Sequence, residues 1–221
     1  MSVFKILSLL WDGIGVSLAI FFFTLLFSLP LGLLIAFGRM AKNKIISGIF
    51  GIYISIMRGT PLMLQLFVIY YLPYFAFKIP LLTFGPNYKL FAVILAFVLN
   101  YAAYFAEIYR AGISSMPVGQ YEAAKVLGMS RKQTFFIVIL PQVVRRILPP
   151  MTNEVITLVK DTSLAFAIGQ IEMFTKAKQI AAKEVSMLPY VVAGVLYYIF
   201  NFIVAWAMGR LEKKFGKYAI K

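Results

Sequence analysis

Cysteine and histidine are absent from this 221-residue chain, and acidic residues are scarce, 8 against 22 lysines and arginines. Without thiols or imidazoles there is no disulfide, no thiolate nucleophile, no Cys/His zinc site and no imidazole acid–base pair. Carboxylates, lysines and tyrosines are the chemistry that remains, a thin inventory for an enzyme. The chain also lacks low-complexity tracts and a repeat of 20–50 residues. No G-x-x-x-x-G-K-[ST] loop occurs either, so nucleotide phosphates have no cradle here.

What abounds is apolar surface. At 62% hydrophobic and 14% charged, the chain carries more of it than a soluble core of this size buries, which places it in a bilayer as a single membrane domain. The net charge of +14 sits largely in short loops beside apolar runs. That is the pattern of membrane topology and not of a nucleic-acid patch. Near the N-terminus Lys5 precedes a long apolar run with no small-residue cleavage site, which predicts a retained first span.

A hydrocarbon layer of roughly 30 Å takes about 20 residues of helix to cross. Five stretches qualify: 14–38, 45–72, 88–109, 133–158 and 189–211. Five spans put three basic regions on one face: Arg39, Lys42 and Lys44; then Arg110, Lys125, Arg131 and Lys132; then Arg210, Lys213, Lys214, Lys217 and Lys221. By the positive-inside rule that face is cytoplasmic, with the N-terminus outside and the C-terminus inside. The less basic face holds Lys5, Lys78, Lys89, Lys176, Lys178 and Lys183, and the mixed stretch 161–186 reads as a helical hairpin there.

Between the third and fourth spans lies a soluble-looking helix, 117–128. Pro117 suits its start and Gly128 its stop, while Ser130 with Gln133 forms a capping-box pattern opening the next helix. Tyr121, Ala124 and Leu127 recur at spacing three as a narrow apolar face. Such a face belongs to an interfacial loop helix or to a peg for a partner's groove.

Polar residues inside a span are costly and therefore candidates for function. The second span is broken at Arg58-Gly59-Thr60-Pro61, with Gln65 one turn on. Thr60 as N-cap and Pro61 as first helical residue would start a half-helix whose N–H groups face a carboxylate at mid-membrane. The same break also serves as a packing kink. Arg58 can meet a carboxylate of substrate or of protein. In the fourth span Glu154 and Asp161, seven apart, share a face with Thr157 between them and Asn153 beside Glu154, an acidic stripe. Internal pairing with Arg58, Arg145, Arg146 or Lys160 is the alternative use of those acids. In the third span Tyr101 groups with Asn100 and Tyr104, as a pocket wall or for interhelical hydrogen bonds, and Glu107 with Arg110 reads as a helix-end ion pair. Tyr197, Tyr198 and Asn201 read as packing.

Taken in order, Arg58-Gly59-Thr60-Pro61-Leu62 with Gln65, Asn100-Tyr101-Ala102-Ala103-Tyr104-Phe105-Ala106-Glu107, Gly119-Gln120 before Glu122-Ala123-Ala124, Gly128, Leu140-Pro141-Gln142, and Lys160-Asp161-Thr162-Ser163-Leu164 resemble the permease subunit of ATP-binding-cassette (ABC) importers for polar amino acids. The resemblance runs from about Gly15 to Glu212; Val138 stands where the pattern usually has Ile. It implies an all-α, five-span type I ABC importer permease fold in a bacterial cytoplasmic membrane, with 117–128 as the coupling helix. Docking on the ATPase would fall to Tyr121, Glu122, Ala123, Ala124, Leu127 and Gly128. Two cytoplasmic ABC ATPases would hold ATP and Mg, leaving no cofactor or metal in this chain. A second permease copy and an external amino-acid-binding protein would complete an alternating-access transporter. Substrate would meet Arg58, Thr60, Pro61, Tyr101, Asn153, Glu154, Thr157 and Asp161. Two acids exceed what a neutral amino acid needs, which favours arginine, lysine or histidine; glutamine or another polar amino acid is the alternative, and an ion-coupled secondary carrier a more distant one.

Overall fold

The computed structural model describes residues 2–216; Lys217 and Lys221, counted above with the basic tail, lie outside the described residues. Every regular element among the described residues is helical. Four helices are long and apolar enough to cross a membrane, and a bent pair makes up to five.

The first, α1 (Val3–Arg39), starts well before the expected residue 14. Nothing between Val3 and Ile14 breaks a helix, so the apolar span continues one already formed. At 37 residues it is roughly 55 Å long, longer than the hydrocarbon is thick. In its first turns Ile6 and Leu10 bury against Ala177, Ile180, Val192 and Ala193.

The expected second span is two helices, α2 (Lys44–Gly59) and α3 (Leu62–Phe77), bent by 110° at the break. The helix start is displaced from the one read in the sequence. Thr60 closes α2 and Pro61 takes the N-cap position of α3, both with extended backbone. The Thr60 hydroxyl donates back to the Ile56 carbonyl at 2.8 Å and leaves the start of α3 uncapped by it. With ψ at 132°, Pro61 is outside the helical region, so α3 cannot begin before Leu62.

Helix α4 (Tyr88–Ser114) is the central post. Its small residues Ala102, Ala103 and Ala106 are fully buried against Ile35 and Ala36 of α1 and Ile54 of α2, the close helix contact that small side chains permit in a membrane. Over the same turns, Phe97, Tyr101 and Phe105 join Leu66, Val155, Leu158 and Val159 in the main core.

The short helix α5 (Val118–Val126) ends as expected. Gly128 sits at φ +70°, and the Gly128 and Met129 amides donate to the Lys125 and Ala124 carbonyls, both at 3.0 Å. This is a Schellman ending, which needs the left-handed residue that glycine supplies. The Ser130–Gln133 capping box then forms on both sides and opens α6 (Arg131–Gln133).

Past α6 the chain runs through a π-helical segment (Thr134–Ile139), α7 (Leu140–Asp161) and a 3-10 stretch (Thr162–Ile168). Together they make one long candidate span, Arg131–Ile168, which passes the expected limit at 158 by ten residues. The stretch beyond it holds α8 (Met173–Glu184), and α9 (Leu188–Gly216) is the last long helix.

Candidate functional site

Two cavities lie end to end along the groove between α4 and α7. The first, about 370 Å³, is walled by Thr60, Pro61 and Leu62 at the α2–α3 break, by Asn100, Tyr101 and Tyr104 of α4, and by Glu154, Thr157 and Asp161 of α7. Its ionisable carboxylates come from the seven-residue spacing on α7, which holds across a continuous helix as the period requires. The Tyr101 hydroxyl donates to Asp161 Oδ2 at 2.7 Å. Asp161 is thus held by a neutral donor on α4 in place of the neighbouring Lys160.

The break that feeds this cavity is itself stitched. Ending α2 at Gly59 frees its last carbonyls, and at membrane depth those must find donors. The two hydrogens on Gln65 Nε2 are shared among Met57 O (2.9 Å), Thr60 O (3.1 Å) and Thr60 Oγ1 (2.8 Å). Asn100 Nδ2 donates to Met57 O (2.9 Å) and to Gln65 Oε1 (3.0 Å). The two amides fix the bend to α4, so Leu62, the first residue of α3, opens on the cavity in a set position.

The second cavity, about 330 Å³, lies nearer α5: Arg58, Tyr104, Glu107, Gly112 and Ser115 on one side, Arg146, Ile147, Pro150 and Glu154 on the other. Tyr104 and Glu154 belong to both cavities. Glu107 is occupied, receiving bonds of 2.9 and 2.5 Å from Arg110, the ion pair expected at this spacing.

Of the eight residues read as substrate-facing, six gather around the first cavity: Thr60, Pro61, Tyr101, Glu154, Thr157 and Asp161. Arg58 lines the second and rests on the Tyr104 ring, 5.3 Å from its centre. Asn153 is exposed and lines neither. On α5 and the turn that ends it, Tyr121, Glu122, Ala123, Leu127 and Gly128 are exposed, whereas Ala124 is buried inside the chain. The apolar face is therefore divided: Ala124 fastens the helix to its own subunit and leaves Tyr121 and Leu127 outward. Lys125, Met129, Ser130, Arg131, Thr134 and Phe135 complete a concave surface beside Tyr121.

One residue escaped the sequence reading. Glu172, fully buried, caps α8 and accepts from the amides of Phe174 and Thr175 (both 2.7 Å), the Thr175 hydroxyl (2.8 Å), Tyr197 of α9 (3.0 Å) and Ser17 of α1 (3.4 Å). Burial pushes its carboxyl above the usual carboxylate range, against those hydrogen bonds. Glutamate is an uncommon N-cap, and its partners are remote in sequence. The one local sign was an acid just ahead of a helical stretch.

Residues 28–217 match the family described as binding-protein-dependent transport system inner membrane component. The L-cystine transport system permease protein TcyB of Bacillus subtilis (strain 168) is 38% identical over 215 residues, 96% of this chain and 89% of that protein. The nopaline transport system permease protein NocM of Agrobacterium fabrum is 36% identical over 87% of this chain and 82% of its own. A putative glutamine transport system permease protein of Rickettsia bellii is 32% identical over 92% and 91%. Among solved structures, an amino acid ABC transporter with histidines superposes with a TM-score of 0.84 at 30% identity, covering 95% of each chain. The MetNI methionine ABC transporter, at 22% identity and TM-score 0.72, shares the fold.

Proposed function

The chain belongs to the binding-protein-dependent transport inner membrane components, and from that premise we propose that it forms the translocation path of an ATP-driven importer for a basic L-amino acid. It is a multi-pass protein of the bacterial inner membrane, a permease subunit of an ABC amino-acid importer. Such a subunit works with ATPase subunits, a permease partner and a substrate-binding protein.

We further propose five spans with the N-terminus outside and α5 on the cytoplasmic side, two copies of this chain, and two ATPases that hold ATP and Mg and grip α5 through the exposed Tyr121, Glu122, Ala123, Leu127 and Gly128, with the buried Ala124 holding the helix in place. The basic loops flanking the spans favour that orientation. No cofactor is assigned to the chain itself.

The observation that carries the substrate assignment is the pairing of Glu154 and Asp161 on one wall of the first cavity, opposite the start of α3. A zwitterion with a cationic side chain has two positive groups and one negative. The two carboxylates suit the positive groups, and the amides opening α3 suit the α-carboxylate. A cavity of this volume is in the range that takes small ligands. Glutamine needs one acid fewer. The test is Glu154→Gln in the reconstituted importer: uptake of labelled L-arginine should fall roughly ten- to hundredfold, the value of one hydrogen bond to a charged group. Uptake equal to that of the parent, at equal protein level, removes Glu154 from the site.

A further inference from the structure

The two cavities differ in electrostatic character, the first acidic and the second mixed, and this asymmetry has a use. In the first, the ionisable wall residues besides the tyrosines are Glu154 and Asp161. In the second, Arg58 and Arg146 face Glu107 and Glu154, but Glu107 is committed to Arg110 through two hydrogen bonds. Arg146 spends its guanidinium on neutral acceptors, the Ser115 carbonyl (2.6 Å) and hydroxyl (3.0 Å). Arg58 is exposed and stacked on Tyr104, and among the described residues no carboxylate lies within ion-pair distance of it. It lines the second cavity and rests on Tyr104, a wall residue of both, which puts it at their boundary. Along α4 the first cavity ends and the second begins at Tyr104; along α7 the same happens at Glu154.

We infer that the Arg58 cavity is a second station on the amino-acid path, binding the α-carboxylate after the acidic cavity has taken the cationic groups, with Arg58 on Tyr104 as the movable partition between the two. The inference rests on the reading of the acidic cavity as the amino-acid site. An amino acid leaving that cavity gives up the amides at the start of α3, and its carboxylate is costly to leave unpaired wherever burial removes its water. Glu154 and Asp161 repel the carboxylate and so point it away from themselves. The nearest uncommitted cation in the direction of α5 is Arg58. When the carboxylate reaches it, the ammonium remains beside Glu154, which both cavities share, so neither end is stripped of a partner during the step. A guanidinium resting on a ring face can swing away from it at a cost of about 1 kcal/mol at an exposed site.

The test uses the complete importer, permease with ATPase and binding protein, in liposomes, and the permease–ATPase complex in detergent. The probe is whichever of labelled L-arginine, L-glutamine and L-cystine the parent takes up. Arg58→Gln is expected to keep equilibrium binding to the detergent complex within about threefold while lowering ATP-driven uptake tenfold or more. Arg58→Lys, which keeps the charge, is expected to restore uptake to within about threefold of the parent, and it is read alone if the glutamine variant does not assemble with the ATPase. Binding and uptake falling together in Arg58→Gln would return Arg58 to the first site and overturn the second station. So would unchanged uptake, or a lysine variant that assembles but transports no better than the glutamine one. Failure of the underlying reading looks different: Glu154→Gln would then bind the probe as the parent does.

Discussion

Glu172 shows how much structure one side chain can hold. Its two carboxylate oxygens each accept a backbone amide, Phe174 on one and Thr175 on the other, and hydroxyls from α1, α8 and α9 fill the rest. Gly13 makes the approach possible, because a Cβ there would lie 2.8 Å from the Met173 Cα and 2.9 Å from the Glu172 carbonyl. Glu172→Gln is nearly isosteric, yet either orientation of the amide turns an NH₂ toward a backbone N–H. The loss is expected at about 1–3 kcal/mol, seen as a thermal midpoint in detergent lower by roughly 5 °C. An unchanged midpoint would mean that the cap is dispensable. The same residue marks a limit of sequence reading. Glu154 and Asp161 announced themselves because acids are rare in a greasy helix, whereas Glu172 sits in a mixed polar stretch where an acid attracts no notice.

At the scale of elements, hydropathy located the long helices because lipid thickness imposes a minimum length, and the helices run past the apolar stretches because a helix need not stop where the lipid does. The 110° bend at Thr60–Pro61 was legible as a break and illegible as an angle, since Gln65 and Asn100 set that angle from elsewhere in the chain. The π-helical segment left no signature at all. For α5 the start, stop and following capping box were all readable from local chemistry, while the inward role of Ala124 was not. If α5 is the docking element, Glu122→Arg reverses a charge on its exposed face, and Gly128→Trp adds bulk and strain at φ +70°. Both variants are expected to insert, Glu122→Arg with a thermal midpoint close to the parent's and Gly128→Trp with one lower by a few degrees from that strain, yet both are expected to lose ATP-dependent uptake tenfold or more and to bind the ATPase weakly in co-purification. Full uptake by both would exclude α5 as the contact.

As a whole molecule, the chain packs the two cavities beside the helix proposed as the docking element. The two cavities lie between α4 and α7, and both of those helices run to the α5 end, where Met116, Ile139, Val143 and Ile147 pack together. Arg146, bonded to Ser115, ties the same junction. A self-contained carrier would need its own ion gradient and no docking face. The most direct measurement is therefore uptake of labelled L-arginine into liposomes holding this permease, with the ATPase and binding protein supplied or withheld and ATP or an ion gradient as the energy source. Uptake that requires the ATPase, ATP and binding protein together is the predicted result; accumulation driven by an ion gradient with the permease alone would contradict it.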